Sequence, residues 1–229
     1  MSGFLDALAD APWVGVADLL GDRPLVVIAP HPDDETLGCG ALLFDAHARG
    51  NPCHVICVTD GSRSHPGSRA WPPARLAAER RAEFDRAVAI LAPGAVTQWL
   101  GHPDCAAPED AAAAETLSGL IPHGAVVLAS WGMDPHIDHE RVAALTRRAV
   151  AGRGDVMLGF YPIWGRFTGH TAPARLVLAS PAARAAKARA LACHRTQMTP
   201  LIGDDPGGFV MEPWRQGHFL THPEVILAP

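Results

Sequence analysis

The stretch Leu25-Val26-Val27-Ile28-Ala29-Pro30-His31-Pro32-Asp33-Asp34-Glu35 falls into two halves. Its first five residues are an unbroken apolar run, the pattern of a strand buried on both faces. Its remainder places a histidine and three consecutive carboxylates just past the strand's end. In open α/β sheets, ligands bind outside the carboxyl ends of strands. So much charge beside a buried strand is costly without a use. The alternative reading is a capping turn, with Asp34 as N-cap of the next helix and Glu35 in its first turn.

Outward from this stretch, hydrophobic spacing predicts a helix over residues 36–48, a strand over 54–58, a polar loop over 60–73 and a helix over 74–91. A strand over 95–100, a helix over 108–120, a strand over 125–130 and a helix over 137–151 follow. Strands over 156–160 and near 176–178, then a helix over 182–192, complete the clear elements. The alternation points to βαβ units and a Rossmann-like α/β fold, a mostly parallel sheet with helices on both faces. The first twenty residues read as a helical or irregular cover. The tail from Thr199 is rich in glycine and proline and ends in apolar Val225-Ile226-Leu227. No linker divides the chain, so residues 1–229 are expected to form a single domain.

The chain has 229 residues, a formal charge of −5 and 48% hydrophobic residues, enough for a sizeable core and unlike a disordered chain. Its 22 glycines and 21 prolines imply many turns. Mild acidity without a Lys/Arg cluster argues against a nucleic-acid binder. The opening residues lack a basic segment and carry Asp6 and Asp10, unlike a secretory signal. Pro93-Gly94 and Pro122-His123-Gly124 break the longest uncharged runs, so no membrane span is expected. Five cysteines without a paired framework suggest reduced thiols in a cytoplasmic protein. Cys39, Cys53 and Cys57 are expected in the core.

A second constellation, Asp134-Pro135-His136-Ile137-Asp138-His139-Glu140, follows another buried run, residues 125–130. Asp134 can cap a helix with Pro135 at its first position. His136 and His139 then share one face of the first turn. In the doubly wound order 3-2-1-4-5, the first and fourth strands are neighbours and the crevice opens between them. Both constellations therefore face one crevice. His31, Asp34 and His139 make a two-histidine, one-carboxylate set, the pattern of a catalytic zinc with an open position. Such a set also suits Fe²⁺, so ligand type alone leaves the metal open.

His31-Pro32-Asp33-Asp34-Glu35, followed by Thr36-Leu37-Gly38-Cys39-Gly40, resembles the opening motif of the zinc-dependent N-acetylglucosaminyl deacetylases, the PIG-L or LmbE-like family. His136-Ile137-Asp138-His139 resembles its second motif. The resemblance covers residues 24–150, including Arg80, Glu83 and residues 100–104, and the tail only loosely. It implies an LmbE-like fold and removal of the acetyl group from an N-acetylglucosamine-type sugar conjugate, releasing acetate and a free amine. It also implies His31, Asp34 and His139 as zinc ligands and Asp33 as general base. His136 would steady the charged intermediate, Asp138 would orient His136, and Arg80 and Asp104 would hold sugar hydroxyls. Ile137 stands where the family usually has proline, and Asp134 where some relatives have tyrosine. Thr196-Gln197 faintly resembles a Ser-Gln pair of the family's C-terminal region.

In physical terms, a bound Zn²⁺ would polarise an amide carbonyl and lower the pKa of a water to roughly 7. Asp33 would take the proton. The helix N-terminus lowers the pKa of His136 and Asp138 raises it, so its charge stays open at this level. A metal hydrolase of another small amide or ester, or a non-catalytic metal-containing sugar-binding protein, also stays open, as does a homo-oligomer. No G-x-G-x-x-G follows the first strand, which disfavours a dinucleotide binder.

Other residues carry weaker expectations. The loop over 60–73 suits a substrate lid or a solvated loop. Asp60 could orient His31 or simply form a turn. Arg75, Glu79, Arg81, Glu83 and Arg86 read as a charged helix face. Trp131, Trp164 and Trp214 read as packing, with sugar stacking the alternative. His194, His218 and His222 read as surface or satisfied core residues.

Overall fold

The computed structural model describes residues 4–229. Eight strands form one sheet: β1 (Trp13–Gly15), β2 (Leu25–Ala29), β3 (Cys53–Thr59), β4 (Val96–His102), β5 (Val126–Ser130), β6 (Met157–Tyr161), β7 (Ala174–Leu178) and β8 (Val225–Leu227). The helices are α1 (Val16–Leu20), α2 (Asp34–Ala48), α3 (Pro73–Leu91), α4 (Ala111–Leu120), α5 (Ile137–Ala149), α6 (Pro181–Leu191), α7 (Arg195–Met198) and α8 (Pro213–Thr221). The spatial order is β1-β7-β8-β6-β5-β2-β3-β4, and β8 alone runs antiparallel to its neighbours. Counted from β2, the first five strands lie in the expected 3-2-1-4-5 order, with β2 beside β5.

Strand β2 is buried along its whole length, and its side chains feed two cores. Leu25 and Val27 pack with Leu42 of α2, Phe84 of α3 and Leu191 of α6. Val26 and Ile28 pack with Leu117 of α4 and Leu145 of α5. Helices therefore cover both faces, as a buried parallel strand requires. Truncating a residue such as Leu25 to alanine costs about 2–5 kcal/mol at a site of this kind. Cys39, Cys53 and Cys57 lie together in the first core, as expected.

The structure corrects the sequence reading at its two ends. The segment before Leu25 is not only a helical cover: Trp13–Gly15 pairs in parallel with β7 at the sheet edge. The apolar end of the tail is strand β8, inserted between β6 and β7. Residues 1–3 of the expected single domain lie outside the described residues. Among those described, no helix is long and apolar enough to cross a membrane.

Candidate active site

Past Ala29 the chain is locked before it turns. The Pro30 carbonyl accepts from the backbone amide and the hydroxyl of Thr59, at 2.9 and 2.7 Å, tying the exits of β2 and β3 together. Asp33 then adopts φ 137°, a conformation that side-chain-bearing residues rarely take. Its amide donates to Glu35 Oε2 at 3.0 Å. Glu35 is fully buried, and its other oxygen meets Thr36 Oγ1 at 2.6 Å and His194 Nε2 at 3.1 Å. Helix α2 starts at Asp34, so Asp33 rather than Asp34 holds the N-cap position, without a side-chain cap bond. The Asp34 carboxylate is directed inward: its Oδ2 accepts the His31 amide at 3.0 Å and lies 3.2 Å from His31 Nδ1.

The second constellation arrives from the end of β5, the neighbour of β2. Asp134 is not the cap of α5. Its carboxylate accepts the amides of Ile163, Trp164 and Gly165 at 2.8, 3.2 and 2.7 Å and meets His139 Nδ1 at 2.9 Å. The cap is His136, whose Nδ1 accepts the Asp138 amide at 3.2 Å. That bond leaves the ring proton on Nε2, ready to donate. The imidazoles of His31, His136 and His139 gather with centroids 4.6 to 5.3 Å apart.

Each deeper histidine is backed by a carboxylate. Asp134 holds His139 through Nδ1. Asp138 meets His31 Nε2 at 3.0 Å and is itself held by the amides of Cys105 and Ala107 at 2.7 and 3.0 Å. Asp138 was expected to orient His136; its carboxylate is committed to His31 instead, and only its amide reaches His136. Asp60 does not reach His31 either: its Oδ1 accepts the amides of Ser62 and Asp104.

This geometry fits a divalent cation. His139 Nε2 is buried without a hydrogen-bond partner among the described residues. It points into the space where Asp34 Oδ2 stands 3.3 Å away, out of hydrogen-bond alignment. Carboxylates on the far nitrogens of metal-binding histidines fix tautomer and ring orientation, and both histidines here have one. Ligand atoms of His31, His136 and His139, and separately of His31, Asp104 and Asp138, also lie within 4.8 Å of one another. The second grouping would use the nitrogen that Asp138 already orients, so the Asp34 side is the better fit.

Charge follows the same arrangement. Burial would raise the Asp34 carboxyl, but the nearby charges of His139 and His31 and the hydrogen bonds from His31 hold it far below the ordinary range. Burial would lower His139, yet Asp34 and Asp134 push it up to about 9. Asp33 goes the other way. Burial raises it to about 7, against the opposing charge of Arg80. Burial and the charges of His31 and His139 lower His136 to about 4, so of the two opposing influences on its charge the lowering one prevails, and the ring is a neutral Nε2–H donor.

Arg80 was expected at the sugar hydroxyls. It is buried, and donates to the carbonyls of Gly61 and Pro32 at 2.9 and 2.8 Å and to Asp33 Oδ2 at 3.3 Å. Its hydrogen bonds thus brace Asp33. Asp104 accepts the Arg63 amide at 2.9 Å and comes within 3.4 Å of His31 Nε2. Glu83, read as surface charge, is fully buried and accepts the amide and hydroxyl of Thr196 at 2.9 and 2.6 Å. That anchors α7 and presents Gln197 to the site.

His31, Asp33, Asp34, Arg80, Asp104 and His136 line a cleft of about 230 Å³, which Leu37, Trp164, Gln197, Phe209 and Met211 also line. Of these, Phe209 and Met211 carried no signal in the sequence. The loop over 60–73 is neither free nor wholly solvated: Asp204 and Asp205 accept its amides at Gly67, Arg69 and Ala70. A larger apolar cavity of about 350 Å³ lies near the starts of β5 and β6, away from these groups.

Comparisons with known proteins place this architecture. The conserved protein TT1542 from Thermus thermophilus superposes with a TM-score of 0.62 at 29% identity, over 90% of this chain and 94% of that one. The N,N'-diacetylchitobiose deacetylase of Pyrococcus horikoshii gives 0.67 at 19% identity, over 89% and 82%. The zinc-inhibited form of teicoplanin deacetylase gives 0.67 at 17% identity, over 90% and 97%. The fold is therefore the α/β LmbE-like fold of these deacetylases. No curated protein sequence matches significantly. The family model described as GlcNAc-PI de-N-acetylase matches residues 26–150, the segment carrying both motifs, and the chain belongs to that family, PIG-L.

Proposed function

We propose that this protein is a zinc-dependent deacetylase that hydrolyses the acetamide of an N-acetylglucosamine-type conjugate, releasing acetate and a free amine. One observation carries the reading: the orphaned Nε2 of His139 converges on Asp34 and His31 directly beside the strained, buried Asp33. Residues 1–229 act as one catalytic unit in this reading, because the cleft draws side chains from His31 through Met211. Deacetylase activity in fold relatives from Pyrococcus horikoshii and the teicoplanin pathway supports the reaction class.

His31, Asp34 and His139 would hold the ion, with Zn²⁺ favoured and Fe²⁺ compatible with the same donors. When bound, it supplies Lewis-acid polarisation of the amide carbonyl and acidifies water. Asp33, raised to about 7, takes a proton from the attacking water near neutral pH, where a general base is most effective. Arg80 holds that carboxylate in place. His136 donates its Nε2–H toward the oxygen that becomes negative as the carbonyl is attacked. Protonated Asp33 then returns its proton to the departing amine. Asp104 faces the cleft with one oxygen accepting Arg63 and can accept a sugar hydroxyl.

The test is acetate release from N-acetylglucosamine derivatives, with and without a chelator, alongside an Asp33→Asn variant. Metal removal is expected to abolish turnover and zinc to restore it. Asp33→Asn should lower kcat by at least ~100-fold while keeping zinc. Undiminished activity in the fully metal-free protein would refute the reading. Turnover confined to other amides or esters would correct the substrate.

A further inference from the structure

Helix α2 carries Asp34 in its first turn and contains, one turn later, an inserted ion pair. In an ordinary α-helix the Leu37 carbonyl accepts the Ala41 amide. Here Lys187 Nζ donates to the Leu37 carbonyl at 2.7 Å. The Ala41 and Leu42 amides donate to the two carboxylate oxygens of Glu224, at 2.8 and 2.9 Å. Lys187 and Glu224 meet each other at 2.7 Å. The ammonium from α6 and the carboxylate just before β8 thus bridge the polar groups of one turn of the active-site helix. Side chains that enter a helix's hydrogen-bond ladder are a recognised cause of bends.

The surroundings leave this turn little freedom. Lys187 and Glu224 are each about 3% exposed. A Cβ at Gly38 would stand 2.2 Å from the Tyr161 ring, and one at Gly40 would press on Lys187 Cγ at 3.2 Å. Tyr161 is pinned in turn, its hydroxyl donating to the Ile28 carbonyl at 2.8 Å. The turn is therefore held between a fixed ring and a fixed ion pair. On its N-terminal side lie Asp34, facing His31 and His139, and Leu37, lining the cleft.

We infer that Lys187 and Glu224 are positioning residues, whose ion pair aims the first turn of α2 and so sets the placement of Asp34. The inference rests on the proposed role of Asp34 as a metal ligand. A buried pair of this kind costs desolvation, and apolar groups of similar volume often replace such pairs without loss of stability, so burial of charge here points to a use beyond stability. The pair joins the Leu37 carbonyl to the Ala41 and Leu42 amides through one rigid bridge.

The experiment compares wild type with K187M/E224Q, which removes both charges and strands neither. Thermal unfolding, Zn²⁺ affinity by calorimetry, and kcat and KM for deacetylation are measured. The double variant is expected to melt cooperatively, to lose about tenfold or more in Zn²⁺ affinity, and to lose kcat with KM little changed. A control, Leu117→Ala in α4, should lower the melting temperature without moving Zn²⁺ affinity, which separates aim from stability. If the double variant does not fold, Glu224→Gln alone is measured and a smaller loss of Zn²⁺ affinity is expected. Wild-type Zn²⁺ affinity in the folded variant overturns the inference. Altered Zn²⁺ affinity without any acetate release by wild type would leave the inference standing and remove the proposed reaction instead.

Discussion

Asp134 Oδ2 and His139 Nδ1 lie 2.9 Å apart with both side chains fully buried, so the opposite nitrogen of that imidazole is turned toward Asp34. The same carboxylate gathers three consecutive amides from the loop after β6. A single residue therefore couples the candidate ligand to the loop that carries Trp164.

This coupling sets the first expectation. Asp134→Asn keeps an oxygen for the loop amides but loses the negative charge behind His139. Outer-shell partners of this kind are worth about 10–100-fold in metal affinity. Zinc affinity measured by competition with a chelator should fall in that range. An affinity equal to wild type would mean that Asp134 serves the loop alone.

Gly61 offers a test of how Asp33 is held. Its φ is +61°, and a Cβ there would stand 2.2 Å from Arg80 Nη1. Gly61→Ala should cost about 1–3 kcal/mol from the backbone conformation alone. It should also displace the guanidinium from the Pro32 carbonyl and Asp33, lowering kcat. Urea unfolding and acetate release check the two effects separately. A destabilised protein with unchanged kcat would show that Arg80 does not brace the base.

Much of this site was legible in the sequence because it is local. Leu25–Ala29 is continuous and apolar, so its burial and central place followed directly. The order of the five central strands followed from alternation and handedness. Both histidine motifs sit just past strand ends, and adjacent strands bring such ends together. The side-chain partners were less legible. Asp134 looked like a cap, since nothing nearby announces three amides about thirty residues later. Glu83 looked solvated, because its partner Thr196 lies on another element. Phe209 and Met211 reach the cleft through partners distant in sequence: their amides donate to the Ser64 and Gln197 carbonyls at 2.7 and 2.8 Å, and Asp204 and Asp205 tie the tail to the loop over 60–73. Three-residue strands such as β1 and β8 are too short to show a period.

The apolar wall makes a third expectation. Trp164 and Phe209 meet edge to face, with centroids 5.6 Å apart and planes at 87°. Both line the cleft with the carboxylates and His136, and we expect them to contact the part of a substrate remote from its acetamide. Trp164→Ala and Phe209→Ala should each raise KM by about tenfold, roughly 1.4 kcal/mol of lost contact, with a smaller change in kcat. Equal losses in kcat and kcat/KM would instead place the aromatic pair in the transition state.

The last expectation concerns pH and lies away from the cleft. His218 on α8 accepts a hydrogen bond from Arg166 Nε at 3.1 Å. Burial, then the charges of Arg166 and His222, lower His218 to about 4. An unfolded chain returns it to the ordinary value of about 6.5. Between these values the unfolded state binds the extra proton, so stability rises with pH across that window. The contribution of the neutral imidazole is complete above about 6.5 and is lost as pH falls toward 4. His218→Gln keeps an acceptor for Arg166 but has no proton to take up. The stability difference between wild type and this variant, from urea unfolding at successive pH values, should therefore shrink on acidification across the window. A difference independent of pH would show that His218 titrates alike in both states, and that its bond to Arg166 does not hold it neutral.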